Sequence, residues 1–115
     1  MSEHDDRLPM HQMLEHAREA LEMVRGRSRT ELESNRVLQL ALAHLLLVVG
    51  EAATRVSPAG RARHPEVPWS QAIETRNFIA HGYDRIDYDV VWDTIADDFP
   101  ALVTALERAL SSASS

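Results

Sequence analysis

The chain has 115 residues, 44% hydrophobic and 26% charged, with a formal net charge of −6 and no cysteine. That length supports one core but not two, and the composition is that of a folded globular protein rather than a disordered one. The negative charge disfavours nonspecific coating of nucleic acid, which depends on neutralising phosphates, and the missing thiols exclude disulfides and thiolate metal sites.

One domain over residues 1–115 is expected, with frayed ends at about 1–6 and 111–115. The opening Met1-Ser2-Glu3-His4-Asp5-Asp6 is polar and acidic, unlike a secretory signal, so a cytoplasmic location is expected. A first helix is predicted from Leu8 to Arg25, with Met10, Met13, Leu14, Ala17, Leu21 and Val24 at helical spacing and Gly26 as its stop. A second, long helix is predicted from Thr30 to about Val56, opened by a Thr30/Glu33 capping box. Its run Val37 to Val49, interrupted by Gln39 and His44, falls short of the ~20 residues of a membrane span. Being apolar on nearly every side, it reads as a central bundle helix or a subunit interface.

Ser57 to Val67, with two prolines and a glycine, reads as the longest loop. Pro68 suits a first helical residue, and a third helix then runs through Trp69 towards His81, with Gly82 as its stop. Asp87 can cap a fourth helix that points Val91, Trp92 and Ile95 inward. Pro100 breaks or kinks the pattern, and Leu102, Val103, Leu106 and Leu110 continue it in a fifth. With no alternating strand pattern, the expected fold is all-α, an antiparallel bundle of four to five helices.

The stretch Arg76-Asn77-Phe78-Ile79-Ala80-His81-Gly82-Tyr83-Asp84 gathers an arginine, an amide, a histidine and a tyrosine. The apolar stripe of the third helix, Trp69, Ala72, Ile73 and Ala80, would expect an apolar residue at position 76; Arg76 stands there instead. An inward guanidinium needs a carboxylate or a bound anion, and Glu51 is a candidate partner. Asn77 and His81, four apart, share one helical face. Arg76 and His81, five apart, lie about 140° around the wheel, and meet only if Arg76 reaches across or the helix end turns His81 back. Arginine binds phosphate and imidazole moves protons near neutral pH, so the set suits phosphodiester chemistry without a metal. Each residue also has a plainer role: a structural ion pair for Arg76, a cap of its own helix for His81, a packing aromatic for Tyr83. His64 reads as structural, His44 as a hydrogen-bonded core residue, and His11 and His16 lack the i, i+4 spacing of a helical metal pair. No metal and no cofactor are therefore expected. The acids from Asp84 to Asp98 read as caps and a solvated face.

The pattern Arg76-Asn77, His81, Tyr83 resembles the motif of the HEPN superfamily, and the flanks sharpen the likeness to HepT-like ribonuclease toxins. Val49-Gly50-Glu51-Ala52-Ala53, Arg63-His64-Pro65-Glu66-Val67-Pro68-Trp69, and Val91-Trp92 followed by Asp98-Phe99-Pro100 are similar to that family's ordered segments. The resemblance covers nearly the whole chain and is weak before Leu40. It implies a dimeric helical bundle and a metal-independent endoribonuclease with two motif copies facing one cleft. It also implies a partner nucleotidyltransferase antitoxin that attaches AMP to the motif tyrosine. By position, Arg76 and His81 take the catalytic places, Asn77 the supporting polar place and Tyr83 the modified one. The chain departs from many relatives in carrying Glu74-Thr75 where a glycine precedes the arginine. A non-catalytic HEPN module that binds nucleotide or its nucleotidyltransferase partner is the alternative. Arg55, Arg61, Arg63 and Arg85 are scattered candidates for RNA contact.

Overall fold

The structure is a computed structural model that describes residues 5–82 and 85–113. Among the described residues it is all-α: α1 (Arg7–Val24), α2 (Arg29–Ser34), α3 (Arg36–Thr54), α4 (Pro58–Arg63), α5 (Trp69–His81), α6 (Tyr88–Asp93), a π-helical turn (Thr94–Asp98) and α7 (Phe99–Ala113). The long columns are α1, α3, α5 and the run from α6 through α7, in a body of 48 × 28 × 19 Å. The helix α3 lies between α1 and α5, and α7 packs on α1. Met10, Met13, Ala17, Leu42, Leu46, Val49, Ile95 and Leu106 are buried in the shared core. Each large aliphatic side chain there contributes about 1.5–3 kcal/mol by leaving water.

The first helix ends as expected, with Gly26 at φ 72 just beyond it. The fraying expected at the ends falls, for residues 1–4, 114 and 115, outside the described residues. At the inner edge Asp6 is buried, accepting bonds from the Ser57 amide (2.8 Å) and hydroxyl (2.6 Å).

The expected helix from Thr30 to Val56 is instead two helices. The capping box is Ser28/Glu31, not Thr30/Glu33: the Glu31 amide donates to Ser28 Oγ (3.2 Å) and the Ser28 amide to Glu31 Oε1 (3.1 Å). The break is at Asn35, whose extended backbone (φ −114, ψ 98) lets its side chain accept from the Leu38 amide and so open α3. Gln39 Nε2 reaches back to the Leu32 and Glu33 carbonyls at the end of α2 (2.9 and 3.1 Å). Two side-chain amides thus replace the backbone bonds that the break removes. By length and composition α3 is apolar enough to cross a membrane, but half of that span is buried in the bundle.

The expected loop Ser57 to Val67 contains α4. Ser57 caps it through the Gly60 amide (3.0 Å), and Pro58 sits in its first turn, where a missing N–H costs nothing. The Trp69 indole N–H donates to the Arg61 and His64 carbonyls (3.2 and 3.0 Å), tying the end of α4 to the start of α5. Pro68 is the residue before α5 rather than its first. Asp87 caps α6 as expected. Pro100 neither breaks nor ends the column that follows. The Phe99 amide donates to the Thr94 carbonyl, five residues back, so the helix widens by one residue and Pro100 falls in the first turn of α7.

Candidate active site

The site is built on the seam between α3 and α5. Trp69, Ala72 and Ile79 of α5 are buried, and Arg76 continues that face half-exposed. The face therefore runs through Ile79 rather than the expected Ala80, which is exposed. Beneath Arg76 lies Gly50 of α3. A Cβ at Gly50 would sit 2.7 Å from the Ala72 carbonyl oxygen and 3.0 Å from the Arg76 Cα, so only glycine lets the helices come this close. The close approach sets Glu51, the next residue of α3, beside the Arg76 side chain.

The Arg76 Nε–H donates to Glu51 Oε1, the pairing that the sequence suggested. An Nη1 hydrogen goes to Asn77 Oδ1 at 2.7 Å. The remaining nitrogen, Nη2, is engaged by no hydrogen bond among the described residues. The side chains of Arg76 and Glu51 are 34% and 42% exposed, so the pair faces an open surface rather than a sealed core. An ion pair that wet contributes about 0–1 kcal/mol. Its contribution to stability is therefore small.

His81 is the last residue of α5 and is exposed. Among the described residues it bonds neither to Arg76, Asn77 and Glu51 nor to the last carbonyls of its own helix. The structure thus brings Arg76, Asn77 and Glu51 together and, among the described residues, leaves His81 outside that group at the helix end. Tyr83, expected to be the modified residue, lies outside the described residues.

The other histidines and arginines have local explanations. His44 is exposed on the outer face of α3, not a core residue. Arg61 donates to the Val56 and Thr54 carbonyls (3.1 and 3.2 Å), closing the end of α3, and Arg63 faces Asp6 at 3.6 Å. Arg55 contacts Gln12, and Arg85 is exposed. Arg29 bridges Asp89 and Asp93 (3.2 and 2.5 Å); the hydrogen bonds it donates to Asp93 and then Asp89 raise its pKa above its ordinary value. Two of the acids expected on a solvated face therefore hold α6 to α2. Among the described residues no three His, Asp or Glu side chains are grouped to hold a metal.

Residues 13–109 match the family described as Ribonuclease HepT-like. The chain is 28% identical over 107 residues to the Methanocaldococcus jannaschii protein named "Putative RNase MJ1380", covering 93% of this chain and 98% of that one. It is also 28% identical over 99 residues to the Thermococcus cleftensis protein named "Probable ribonuclease HepT", covering 83% and 90%. No solved structure gives a significant match. The chain belongs to the ribonuclease HepT-like family, the HEPN-type ribonucleases that its α5 motif resembles.

Proposed function

We propose that this ribonuclease is a metal-independent endoribonuclease, the toxin of a toxin–antitoxin pair, with Arg76 and His81 as its catalytic residues. The observation that carries the reading is the Arg76 guanidinium: anchored through Nε and Nη1, half-exposed, with Nη2 uncommitted among the described residues. That geometry suits a scissile phosphate, whose oxygens gain charge in the transition state. His81 takes the proton of the ribose 2′-OH. The 2′-oxygen attacks phosphorus, and the 5′-oxygen leaves with a proton from a second imidazole. The products are a 2′,3′-cyclic phosphate and a 5′-hydroxyl, and since the nucleophile is built into RNA no cofactor is needed. Asn77 keeps the guanidinium in register.

One copy supplies one histidine, and the reaction uses a base and an acid. A homodimer with two motifs across a shared cleft supplies both. It finds support on α3, where exposed Val37 and Leu40 lie on the same helical face as half-buried Leu47 and Val48 and lead up to Glu51. The whole chain acts as one domain in the cytoplasm, where its RNA is. A nucleotidyltransferase antitoxin restrains it by attaching AMP to Tyr83, which adds bulk and negative charge two residues from His81.

The test is cleavage of RNA by the wild type and by His81→Ala, with and without the product of a neighbouring nucleotidyltransferase frame. The variant should keep its helical spectrum and lose cleavage; unchanged cleavage refutes the mechanism. One observation favours the non-catalytic alternative: in the single chain His81 bonds neither Arg76 nor Asn77. Saturable AMP binding with no RNA cleavage by the wild type would select that reading.

A further inference from the structure

The other side of α5 carries a feature separate from Arg76. An open cavity of about 250 Å³ lies between α5 and the α6–π segment, floored by Leu46 of α3. Phe78 on α5 and Val90 on α6, 37% and 42% exposed, are the exposed apolar residues of its two walls. A smaller extension shares Gln71, Thr75, Thr94 and Asp98 and continues to Pro68 and Leu102, so the two walls run antiparallel. From Phe78 back to Pro68 is about 15 Å of helix at 1.5 Å per residue. The main cavity is smaller than the roughly 300–1,000 Å³ that enclose a drug-sized ligand or cofactor. It is a groove with room for a few side chains.

The polar chemistry of the groove is nearly all acceptor. The Thr75 and Thr94 hydroxyls spend their hydrogens on the Gln71 and Val90 carbonyls (2.9 and 2.8 Å), leaving lone pairs and methyl groups to the groove. Glu74 and Asp98 add two carboxylates, neither of them ion-paired among the described residues. Among the lining residues only the Gln71 amide keeps hydrogens to offer. No lining residue is basic, so an RNA backbone is repelled here rather than bound.

We infer that this groove docks a basic amphipathic helix of a partner protein. An aliphatic side chain of that helix seats between Phe78 and Val90. One helical turn away, an arginine or lysine meets Glu74 and Asp98, the spacing at which an amphipathic helix places successive anchors. The docked helix braces α5, whose main packing partner in the chain is α3. The inference does not depend on the chemistry at Arg76, and the two are read in separate assays.

The probe is a fluorescein-labelled, alanine-based helical peptide of about 14 residues, with two leucines four apart and an arginine one turn beyond each. Anisotropy should show saturable binding, and hydrogen exchange of α5 amides should slow in the complex. Glu74→Lys with Asp98→Lys should weaken binding at least about tenfold, and a glutamate-for-arginine peptide should regain affinity for that variant. Should the double variant fail to fold by circular dichroism, Val90→Ser on the exposed wall gives the same reading. No saturable binding up to about 1 mM, equal binding by the folded variants, or displacement of the peptide by single-stranded RNA would overturn the inference.

Discussion

At the scale of single residues, the Arg76–Glu51 contact has two possible uses, and their magnitudes separate them. As a strut it is exposed enough to contribute under about 1 kcal/mol. As an anchor for a group that must meet a phosphate, its loss leaves the guanidinium swinging, and misplacement by about 1 Å can cost on the order of a hundredfold in rate. Glu51→Ala should therefore leave stability to urea almost unchanged and lower RNA cleavage at least about tenfold. A large loss of stability with normal cleavage would reverse the assignment. Tyr83→Phe removes the oxygen that would carry AMP and should cleave RNA normally while escaping restraint by the nucleotidyltransferase. Normal restraint of that variant counts against Tyr83 as the modified residue. The Arg76–Glu51 pairing was legible in the sequence, because an inward arginine requires a carboxylate and Glu51 lies in a helix expected to be buried. The placement of His44 was not: apolar neighbours along a chain do not say which face of the helix is covered, and His44 lies on the uncovered one. Likewise positions 79 and 80 are only about 100° apart on the wheel, so the stripe could pass through either, and packing against α3 selects Ile79.

At the scale of elements, what the sequence concealed was mostly punctuation. Two capping-box patterns overlap, Ser28/Glu31 and Thr30/Glu33, and the structure forms the first. Asn35 interrupts the apolar run because its side chain can offer the next helix an oxygen that an apolar residue lacks. The prolines at 58 and 100 read as breakers, yet each sits in the first turn of a helix, one after a serine cap and one after a π turn. The α3–α5 seam gives this scale its prediction. Gly50→Ala places a methyl against the Ala72 carbonyl, a backbone atom with no rotamer to escape by, and should destabilise the fold by about 1–3 kcal/mol. It should also impair cleavage by parting Glu51 from Arg76. A Gly50→Ala variant as stable to urea as the wild type would show that the helices can separate there freely.

At the scale of the whole molecule, the fold class was readable because the helical period persists through nearly every segment and no strand pattern competes with it. The assembly is the less legible level. The outer face of α3 exposes Val37 and Leu40, 77% and 39%, and is the face to which the proposed dimer is assigned. Leu40→Asp, on that face and away from Arg76, should convert a dimer to a monomer in sedimentation and abolish cleavage, since each cleft would lose its second imidazole. A monomeric Leu40→Asp protein that cleaves normally would remove the two-copy mechanism and leave the single-chain site to act alone.

The missing Cβ at Gly50 has a consequence for how much freedom the reaction must freeze. With α3 against its backbone, Arg76 has its main chain and the root of its side chain immobilised when the protein folds. In the proposed reaction only the outer torsions of the arginine are left to search for a phosphate oxygen. In that reaction the share of side-chain entropy held by the root, part of a total of up to about 2 kcal/mol, is lost on folding and not charged to the barrier of each turnover.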